Sequence, residues 1–421
     1  MKNIIVQKFG GTSVADTDKI KNVARAVIKE KNNGNDVVVV VSAMGHTTDI
    51  LTKMAKEISA HPSSREMDML LSTGEGVSIA LLAMALQAQG CDAVSMNAMQ
   101  VGIITENIHS NARILEIKTD KIVKNLEEGK VVVIAGFQGV TDDFEITTLG
   151  RGGSDTSAVA LAGALKAKRC DIYTDVEGVY TTDPRIVPHA SKLKEISYEE
   201  MLELARVGAN VLHPRAVEAA TQYHMSVRVR SAFKTDNLGT LILGVDKMEL
   251  QRPVTGVAAD LSQLRVVVCD VQDSPGTAAI LFDGLAKENI SVDMIIQSYA
   301  RKAYNTNDIA FTISKNDVDK TREILEKVKS ELNYSNVFID DKIAKISIVG
   351  AGMIDRPGIA AKMFRTLADL DINIKMISTS EIKISCLVEQ SRANDAVEVL
   401  HTVFGLDSKS VAEVKGDLPN V

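Results

Sequence analysis

A lysine followed by two glycines near the start of the chain is the first candidate for chemistry. Residues 8–13 read Lys-Phe-Gly-Gly-Thr-Ser, directly after a β-branched run that predicts a strand. Adjacent glycines let a backbone approach a ligand closely and turn its N–H groups towards an anion. Lys8 adds a mobile charge that can follow a phosphoryl group. An ordinary strand-to-helix turn is the alternative, since the segment matches neither GxxxxGK[ST] nor GxGxxG.

A second glycine-rich turn precedes a helix of small residues. Residues 150–157 read Gly-Arg-Gly-Gly-Ser-Asp-Thr-Ser. Such a turn at a helix N-terminus favours anions, and Arg151 can hold a carboxylate with its two-pronged guanidinium. Asp155 is a poor choice for binding an anion, so we expect it to hold Lys8 or a Mg²⁺ ion. A plain N-terminal cap is the alternative for Asp155.

Residues 174–185 combine the groups that a nucleotide requires. Tyr180 supplies a ring, Thr174 and Asp175 supply ribose-type hydrogen-bonding groups, and Arg185 supplies a cation for phosphate. Turns rich in Asp, Gly and Pro are common, so the segment is also compatible with an ordinary loop.

Two shorter segments carry weaker signals. Residues 42–48 (Ser-Ala-Met-Gly-His-Thr-Thr) follow a predicted strand, and residues 72–75 (Ser-Thr-Gly-Glu) precede an apolar helix. Thr47 could donate to a carboxylate, and Glu75 could accept from an ammonium. An acidic residue near a helix start is also stabilised by the helix dipole alone.

The elements that must position these residues alternate along the first 245 residues. Nearly unbroken apolar runs predict buried strands at 4–9, 37–42, 131–137, 170–174 and 227–230, and an apolar stripe predicts a helix from residue 16 or 17. This alternation favours a doubly wound α/β layer with a mainly parallel sheet. Ligands of such sheets bind beyond the carboxyl ends of the strands.

The remaining residues contain an internal duplication. Residues 275–294 match residues 357–376 at an offset of 82, with nine of the twenty positions identical. Each copy predicts strand, Pro-Gly turn, helix, strand, strand, helix and strand, which is the ferredoxin-like βαββαβ arrangement. The polar residues 246–252 are the expected linker.

Composition excludes several classes of protein. The 48 Lys and Arg against 55 Asp and Glu give a net charge of −7, which lacks the excess of basic residues that is typical of nucleic-acid-binding proteins. Four scattered cysteines are neither a zinc site nor a disulfide framework. The apolar run at 79–86 is too short to span a membrane, and no signal sequence is expected. We therefore expect a cytoplasmic protein without a nucleic-acid or membrane partner.

Taken together and in this order, the motifs resemble the signature set of the aspartokinases, of the amino-acid kinase superfamily. The duplicated tail resembles the paired ACT domains of the monofunctional bacterial members. The resemblance implies an α/β/α amino-acid kinase sandwich over residues 1–245. Two ferredoxin-like regulatory ACT domains are then expected over residues 246–335 and 336–421.

The resemblance also implies an activity, namely transfer of the ATP γ-phosphoryl group to the β-carboxylate of L-aspartate. That reaction gives 4-phospho-L-aspartate, the first step towards lysine, threonine and methionine. Lys8 and Asp155 are the implied catalytic pair, and Mg²⁺ is expected with ATP, without a dedicated metal site. Aspartate is expected at Thr47, Glu75, Arg151 and Ser154. The nucleotide is expected at Lys8, Phe9, Gly10, Gly11, Ser13, Ser42, Thr174, Asp175, Tyr180, Asp183 and Arg185.

The tail is expected to sense an amino acid. In ACT domains the Pro-Gly turn can receive a carboxylate and the next strand an ammonium. The candidates are Asp273, Ser274, Gly276, Thr277, Ala278, Ala279, Asp293 and Gln297. Because Asp293 has Lys375 as its counterpart, we favour the first repeat as a site for L-lysine, alone or together with L-threonine. A dimer interface is the alternative role, and a homodimer through these domains is expected in either case.

Asn210 departs from the family pattern, since many relatives carry lysine there near the nucleotide; weaker ATP binding is the expectation. Met248 lies in the linker, where some relatives start a separate regulatory subunit.

A kinase acting on glutamate or acetylglutamate is the nearest rival hypothesis. A catalytically silent amino-acid-binding regulator is another.

Overall fold

The computed structural model describes residues 3–208, 211–234, 237–244, 252–298, 305–354 and 356–408. Asn210, Met248 and most of the expected linker lie outside these ranges. The chain divides into two compact units. Among the described residues, the first unit holds 3–180 and 191–244, and the second holds 181–190 and 252–408.

The first unit contains these strands in chain order: β1 Ile4–Phe9, β2 Asp36–Val41, β3 Ala93–Met96, β4 Ile103–Thr105, β5 Ile114–Ile117, β6 Val131–Ala135, β7 Gln138–Val140, β8 Ile146–Thr148, β9 Arg169–Thr174, β10 Glu195–Ser197, β11 Val227–Ser231 and β12 Thr240–Leu243. Its helices are α1 Thr17–Asn32, α2 Thr47–Ile58, α3 Ser64–Leu71, α4 Thr73–Ala88, α5 Ala98–Val101, α6 Asp120–Glu127, α7 Gly153–Ala164, α8 Tyr198–Arg206 and α9 Pro214–Gln222.

An eight-stranded sheet in the order β10-β12-β11-β9-β1-β2-β6-β3 forms the centre of this unit. All neighbours are parallel except β11 and β12. Five consecutive valines, 37–41, are fully buried in β2, as a strand covered on both faces requires. The predicted α/β architecture is confirmed.

Helices cover both faces of that sheet. Phe9 contributes to a core formed with α1 and α4. Lys8 points to the opposite face, because successive side chains of a strand alternate, and there it meets α7. The carboxyl ends of β1, β2 and β9 are adjacent in the sheet, which gathers the loops that follow them. A second sheet, β5-β4-β7-β8, lies in the same unit.

Helices α3 and α4 follow one another over Ser64–Ala88, a 25-residue segment that could cross a bilayer by length and composition. This segment is longer than the apolar run identified in the sequence. Its residues Ile79, Leu82 and Leu86 are buried against the central sheet and α1. A helix in a protein core can have the same length and apolar composition as a membrane-spanning helix. Packing against the central sheet accounts for the apolar character of this segment.

The second unit contains the strands β13 Gly256–Asp260, β14 Gln263–Gln272, β15 Val292–Gln297, β16 Thr306–Ser314, β17 Asn336–Asp340, β18 Ile343–Val349, β19 Met376–Thr379 and β20 Lys383–Glu389. Its helices are α10 Thr277–Lys287, α11 Val318–Leu332, α12 Ile359–Asp369 and α13 Ala393–Val403. They form two four-stranded sheets, β15-β16-β14-β17 and β13-β18-β20-β19. We call these sheets with their helices the first and the second repeat domain.

The repeat domains do not follow the division expected at residues 335 and 336. Strand β17 begins at Asn336 and pairs with β14 in the first repeat domain. Strand β13 precedes the first repeat domain in sequence, yet it pairs with β18 in the second. The first repeat domain is therefore inserted between β13 and the rest of the second. Linear self-comparison cannot reveal this, because strand pairing is a tertiary property.

The boundary of the catalytic region also differs from the expected range of 1–245, since residues 181–190 pack in the second unit. The Val257 amide donates to the Thr181 carbonyl over 2.7 Å, and Ala190 forms a β-bridge with Asp407.

Candidate active site

Two opposite charges meet at the carboxyl end of β1. Lys8 is the next-to-last residue of β1, and Asp155 lies in the first turn of α7. Lys8 Nζ lies 2.6 Å from Asp155 Oδ1, and the side chains are 12% and 14% exposed. The structure therefore brings together the two residues that the sequence paired. The ion pair fixes a cation beside the glycine turn while leaving it accessible to a ligand.

The glycine turn after β1 runs tightly against its surroundings. A Cβ on Gly10 would lie 3.4 Å from Lys8 Nζ, and one on Gly11 would lie 2.8 Å from the Ala43 carbonyl oxygen. Ser13 is 3% exposed, and within the described residues its hydroxyl has no hydrogen-bond partner. A buried hydroxyl without a partner is costly, so this turn suits a ligand with acceptor oxygens, such as phosphate.

A buried carboxylate lies on the other side of Ala43. Glu75 is 2% exposed, and its Oε1 accepts a hydrogen bond from the Ala43 amide over 3.1 Å. Its Oε2 is buried and has no hydrogen-bond partner in the part of the chain that is described. Burial raises the pKa of Glu75 to about 7. The free oxygen can accept from a ligand cation, and an ammonium fits that need.

Gly74 is a site residue that sequence reasoning missed. A Cβ there would lie 2.8 Å from Ala43 Cβ and 3.5 Å from Thr47 Cγ2. The glycine thus permits α4 to approach the loop after β2, which places Glu75 on the Ala43 amide. Thr47 begins α2, and its hydroxyl donates to the Met44 carbonyl over 2.6 Å. The available signal was the position of this glycine immediately before Glu75.

The arginine turn has a backbone that glycine alone adopts easily. Gly150 and Gly152 have φ of 76° and 68°, and a Cβ on Gly152 would lie 2.1 Å from the His213 ring. Arg151 between them is exposed, with no hydrogen-bond or ion-pair partner among the described residues. Ser154, 8% exposed, follows in the first turn of α7. The turn therefore presents a guanidinium that is not engaged by the chain itself.

The predicted nucleotide contacts of the first unit follow adjacent strands. Ser42 comes directly after β2, and its amide donates to the Phe9 carbonyl over 3.1 Å. Thr174 ends β9, and its hydroxyl donates to Asp175 over 2.9 Å. Tyr180 forms a β-bridge with Lys192. Their common placement beyond carboxyl strand ends is where doubly wound folds bind ligands.

Phe9 requires a correction of role. Its side chain is 1% exposed and stacks on Tyr173 with ring centroids 4.4 Å apart. The ring belongs to the core, so only the backbone of Phe9 is available to a nucleotide.

Asp183 and Arg185 fall in the second unit. The Arg185 guanidinium lies 2.7 Å from an Asp183 oxygen, and the Arg185 amide also donates to Asp183 over 2.9 Å. In the same segment, the Thr181 hydroxyl lies 2.8 Å from His401 Nε2. The expected role of Asp183 and Arg185 in nucleotide binding stays a prediction.

The candidate effector residues surround the turn that opens α10. Gly276 has a φ of 96°, and Ser274 Oγ lies 3.1 Å from Thr277 Oγ1. The Asp273 carboxylate accepts a hydrogen bond over 3.1 Å from the side-chain amide of Asn307, a residue that is 3% exposed. Exposed residues complete the set at the first turn of α10 and at the end of β15; these are Ala278, Ala279 and Gln297. Because β15 and β14 flank β16, Gln297 and Asp273 lie at the same end of the sheet.

Asp293 differs from the rest of this set, because it is already paired. Lys345, whose side chain is 4% exposed, donates to Asp293 and lies 3.8 Å from Asp260. Lys375, the counterpart of Asp293 in the second repeat, lies 2.7 Å from Asp340. The charge reversal between the repeats therefore serves ion pairs between the two domains, which a comparison of the copies in sequence could not reveal.

Among the described residues, no three His, Cys, Asp or Glu side chains converge as a metal site. Asp155 is the carboxylate beside the glycine turn. Mg²⁺ usually takes one or two carboxylates together with substrate phosphates, so the donor set fits a Mg²⁺ ion that arrives with a nucleotide.

Comparisons with known proteins agree with this geometry. Residues 3–231 match the amino acid kinase family, and residues 265–328 and 346–404 match the ACT domain. The aspartokinase of Bacillus sp. (strain MGA3) is 56% identical over 408 residues, which cover 97% of this chain and 98% of the relative.

Two solved structures of E. coli aspartokinase III are also similar. The complex with aspartate and ADP (R-state) has a TM-score of 0.80 at 29% identity, covering 95% of this chain and 99% of the other. The complex with lysine and aspartate (T-state) has a TM-score of 0.76 at 28% identity, covering 96% and 99%. The chain therefore belongs to the amino acid kinase family and, within it, to the aspartokinases with C-terminal ACT domains.

Proposed function

We propose that the chain transfers the γ-phosphoryl group of ATP to the β-carboxylate of L-aspartate, the first step towards lysine, threonine and methionine. The observation that carries the proposal is the Lys8–Asp155 ion pair, 2.6 Å long, beside the glycine turn and near the buried Glu75 carboxylate. The E. coli relative with the same fold was solved with aspartate and ADP.

The chemistry needs charge stabilisation more than proton transfer. The β-carboxylate is ionised at neutral pH, so it attacks without a general base. Its oxygen forms a bond to the γ-phosphorus while the bond to the bridging oxygen of ADP breaks, giving the acyl phosphate and ADP. Two anions must be brought together, and Lys8 offsets the charge on the transferred group. Asp155 orients Lys8.

Aspartate is recognised by complementary charges. Arg151 binds the α-carboxylate through its unengaged guanidinium, and Glu75 Oε2 accepts from the α-ammonium. Thr47 and Ser154 contribute hydroxyl groups. An acetylated amino acid has no ammonium for Glu75, so this arrangement favours a free amino acid over acetylglutamate.

ATP binds as its Mg²⁺ complex. The backbone of the Gly10–Gly11 turn and the hydroxyl of Ser13 receive the phosphates. Ser42, Thr174, Asp175 and Tyr180 hold the rest of the nucleotide at the neighbouring strand ends. Asp155 is the carboxylate available to the metal ion.

An amino-acid effector binds at the turn before α10. L-lysine, alone or together with L-threonine, is the effector that we propose, and the E. coli relative was solved with lysine. Selection of lysine by Asp293 requires that its pair with Lys345 opens. A homodimer through the ACT domains and a cytoplasmic location are further parts of the proposal.

A hydroxamate assay tests the activity. The protein is incubated with ATP, Mg²⁺ and one amino acid, and hydroxylamine traps the acyl phosphate. Hydroxamate is expected with aspartate and not with glutamate or acetylglutamate. Absence of product with every acid, from folded protein, would identify a silent regulator instead.

Equilibrium dialysis with labelled lysine tests the effector, with Ala278→Asp as the variant that places a negative charge in the turn. Binding by the unsubstituted chain and weaker binding by the variant are expected. No binding at millimolar lysine would reject the sensor role.

A further inference from the structure

We propose that Arg215 and Asp68 are positioning residues that hold the arginine turn in place and thereby set the affinity for the amino-acid substrate. The inference rests on the proposed function, in which Arg151 binds the α-carboxylate. Neither residue belongs to a motif that the sequence analysis singled out. Both contact the two backbone segments against which the turn is packed, namely 109–112 and 148–149.

Arg215 joins these two segments with one guanidinium. It lies in the first turn of α9 and donates to the Leu149 carbonyl, the last acceptor before the turn. It also donates to the side chain of Asn111 over 3.0 Å and to the Ala112 carbonyl over 2.7 Å. Three acceptors in different directions match the rigid fork of an arginine, and a lysine cannot satisfy them all.

Asp68 holds the same segments from α3. Its side chain is fully buried and accepts from the Ser110 amide over 2.9 Å. It accepts from Thr148 twice, over 3.1 Å from the amide and 2.6 Å from the hydroxyl. The ring nitrogen Nδ1 of His109 lies 3.0 Å away. One carboxylate thus fixes both segments, and the Ala112 amide joins them directly to the Thr148 carbonyl over 2.9 Å.

The turn has little freedom once those segments are fixed. A Cβ on Gly150 would lie 2.9 Å from the Ser110 carbonyl oxygen, and one on Gly152 would overlap the His213 ring. Arg151 has no partner of its own among the described residues. Its position therefore depends on the backbone on either side of it, and that backbone rests on Arg215 and Asp68.

The effect should fall on the amino acid and not on ATP. A displacement of about 1 Å at a substrate-positioning group can cost on the order of 100-fold. Glutamate is one methylene longer than aspartate, so a displaced Arg151 also reduces the discrimination between them. Lys8 and the glycine turn lie on other segments, and Asp155 is held by α7, which packs against β1. Nucleotide affinity should therefore be retained.

Arg215→Gln tests the proposal by steady-state kinetics. We expect KM for aspartate to rise about 10- to 100-fold, KM for ATP to stay within about twofold, and the aspartate-to-glutamate ratio of kcat/KM to fall. Arg215→Lys should give an intermediate KM, because a lysine restores only part of the contacts. The milder Asn111→Ala variant carries the same test if Arg215→Gln does not fold.

Asp68→Asn tests the second residue, since an amide keeps the shape of the side chain but loses a charged acceptor. We expect the same pattern of KM values. The double variant should lose less than the product of the single effects, because both residues act on one turn.

Two variants serve as matched controls. Arg206→Gln removes an exposed arginine that pairs with Glu218 over 2.9 Å. Asp36→Asn removes a buried carboxylate at the start of β2, away from the carboxyl ends of the strands. Both should leave the two KM values unchanged.

An unchanged KM for aspartate in Arg215→Gln and Asp68→Asn would overturn the inference. Equal increases of both KM values, with a lower Tm, would also overturn it, because they indicate general destabilisation. Failure of the proposed function is a different outcome, in which the unsubstituted chain phosphorylates no aspartate.

Discussion

The Glu75 carboxylate is buried, and only one of its two oxygens has a hydrogen-bond partner among the described residues. One oxygen accepts from the Ala43 amide, and the other is buried without a hydrogen bond in the described structure. Burial raises the pKa of Glu75 from 4.5 to about 7. Such a group is unfavourable for the folded protein alone and becomes favourable when a cation binds. The residue therefore favours ligand binding at the expense of stability.

Glu75→Gln should weaken aspartate binding and stabilise the free protein. Loss of a charged hydrogen bond should raise KM for aspartate on the order of 10- to 100-fold. In the unsubstituted chain, kcat/KM for aspartate should fall as the pH drops below about 7, because Glu75 becomes protonated. The variant should lose that pH dependence, which a pH profile of kcat/KM measures.

The stability effect has the opposite pH dependence. A raised pKa in the folded state means that the folded protein binds the extra proton, so stability is lost as the pH rises through 4.5 to 7. Glu75→Gln should thus be more stable above pH 7, by at most about 3 kcal/mol, and equal near pH 4. Thermal unfolding at both pH values measures the difference. Equal Tm values at pH 8 would contradict the burial of a charged Glu75.

Lys8→Met should abolish turnover without unfolding the chain, because it removes the cation that offsets the transferred charge. A loss in kcat on the order of 10³-fold or more is expected. Lys21→Met is the control, since Lys21 forms an exposed pair with Asp18, 3.1 Å long. Substantial residual activity in Lys8→Met, with control-like circular dichroism, would remove the role given to Lys8.

The first turn of α4 packs closely against the loop after β2 because Gly74 has no side chain. Gly74 and Gly76 lie on either side of Glu75 in this helix. A Cβ on Gly74 would lie 2.8 Å from Ala43 Cβ, whereas no described residue outside the helix backbone lies within 4 Å of a Cβ on Gly76. The two glycines therefore have different roles, although they are only two residues apart in the same helix.

Gly74→Ala should push α4 away from the loop after β2 and so break the Glu75 contact with Ala43. We expect a lower Tm and a raised KM for aspartate. Gly76→Ala, the matched control, should raise stability by up to about 1 kcal/mol because alanine favours helix. Steady-state kinetics and thermal unfolding of both variants check this, and identical behaviour of the pair would contradict it.

The whole molecule is connected in an order that its repeats do not suggest. β13 completes the second repeat domain from a position before the first, and residues 181–190 join the second unit. The chain therefore enters the second repeat domain, leaves it to form the first and returns. Contacts of high sequence separation stabilise the second domain.

Val257→Ala should destabilise the second repeat domain although Val257 precedes the first. Val257 in β13 packs with β18 and β20, while Val266 in β14 belongs to the core of the first repeat domain. Each substitution should cost on the order of 2 kcal/mol. Hydrogen exchange should quicken in β18 and β20 for Val257→Ala, and in β14 and β16 for Val266→Ala. Faster exchange of β14 and not of β18 in Val257→Ala would refute the inserted topology.

Much of the architecture could be read from local patterns. The β-branched runs predicted β1, β2, β6, β9 and β11 to within two residues, and the helix from residue 16 or 17 is α1 with Asp16 as its cap. The pairing of Lys8 with Asp155 could also be anticipated, because an acidic side chain in a turn that favours anions is better suited to holding a cation than to binding an anion. Burial on both faces and helix periodicity are local properties of the chain, so they are visible in one dimension.

The sequence by itself determined the element types, the duplication and the chemical groups available for phosphoryl transfer. Only the tertiary structure decided that β13 belongs to the second repeat, that Asp293 is paired with Lys345, and that Phe9 lies in the core. It alone brought Arg215 and Asp68 to the arginine turn. These contacts join residues that are distant in the chain, and they depend on which strands pair and which surfaces pack. A local sequence pattern cannot predict which strands pair, because the free energy that favours one pairing over another comes from packing in the assembled core.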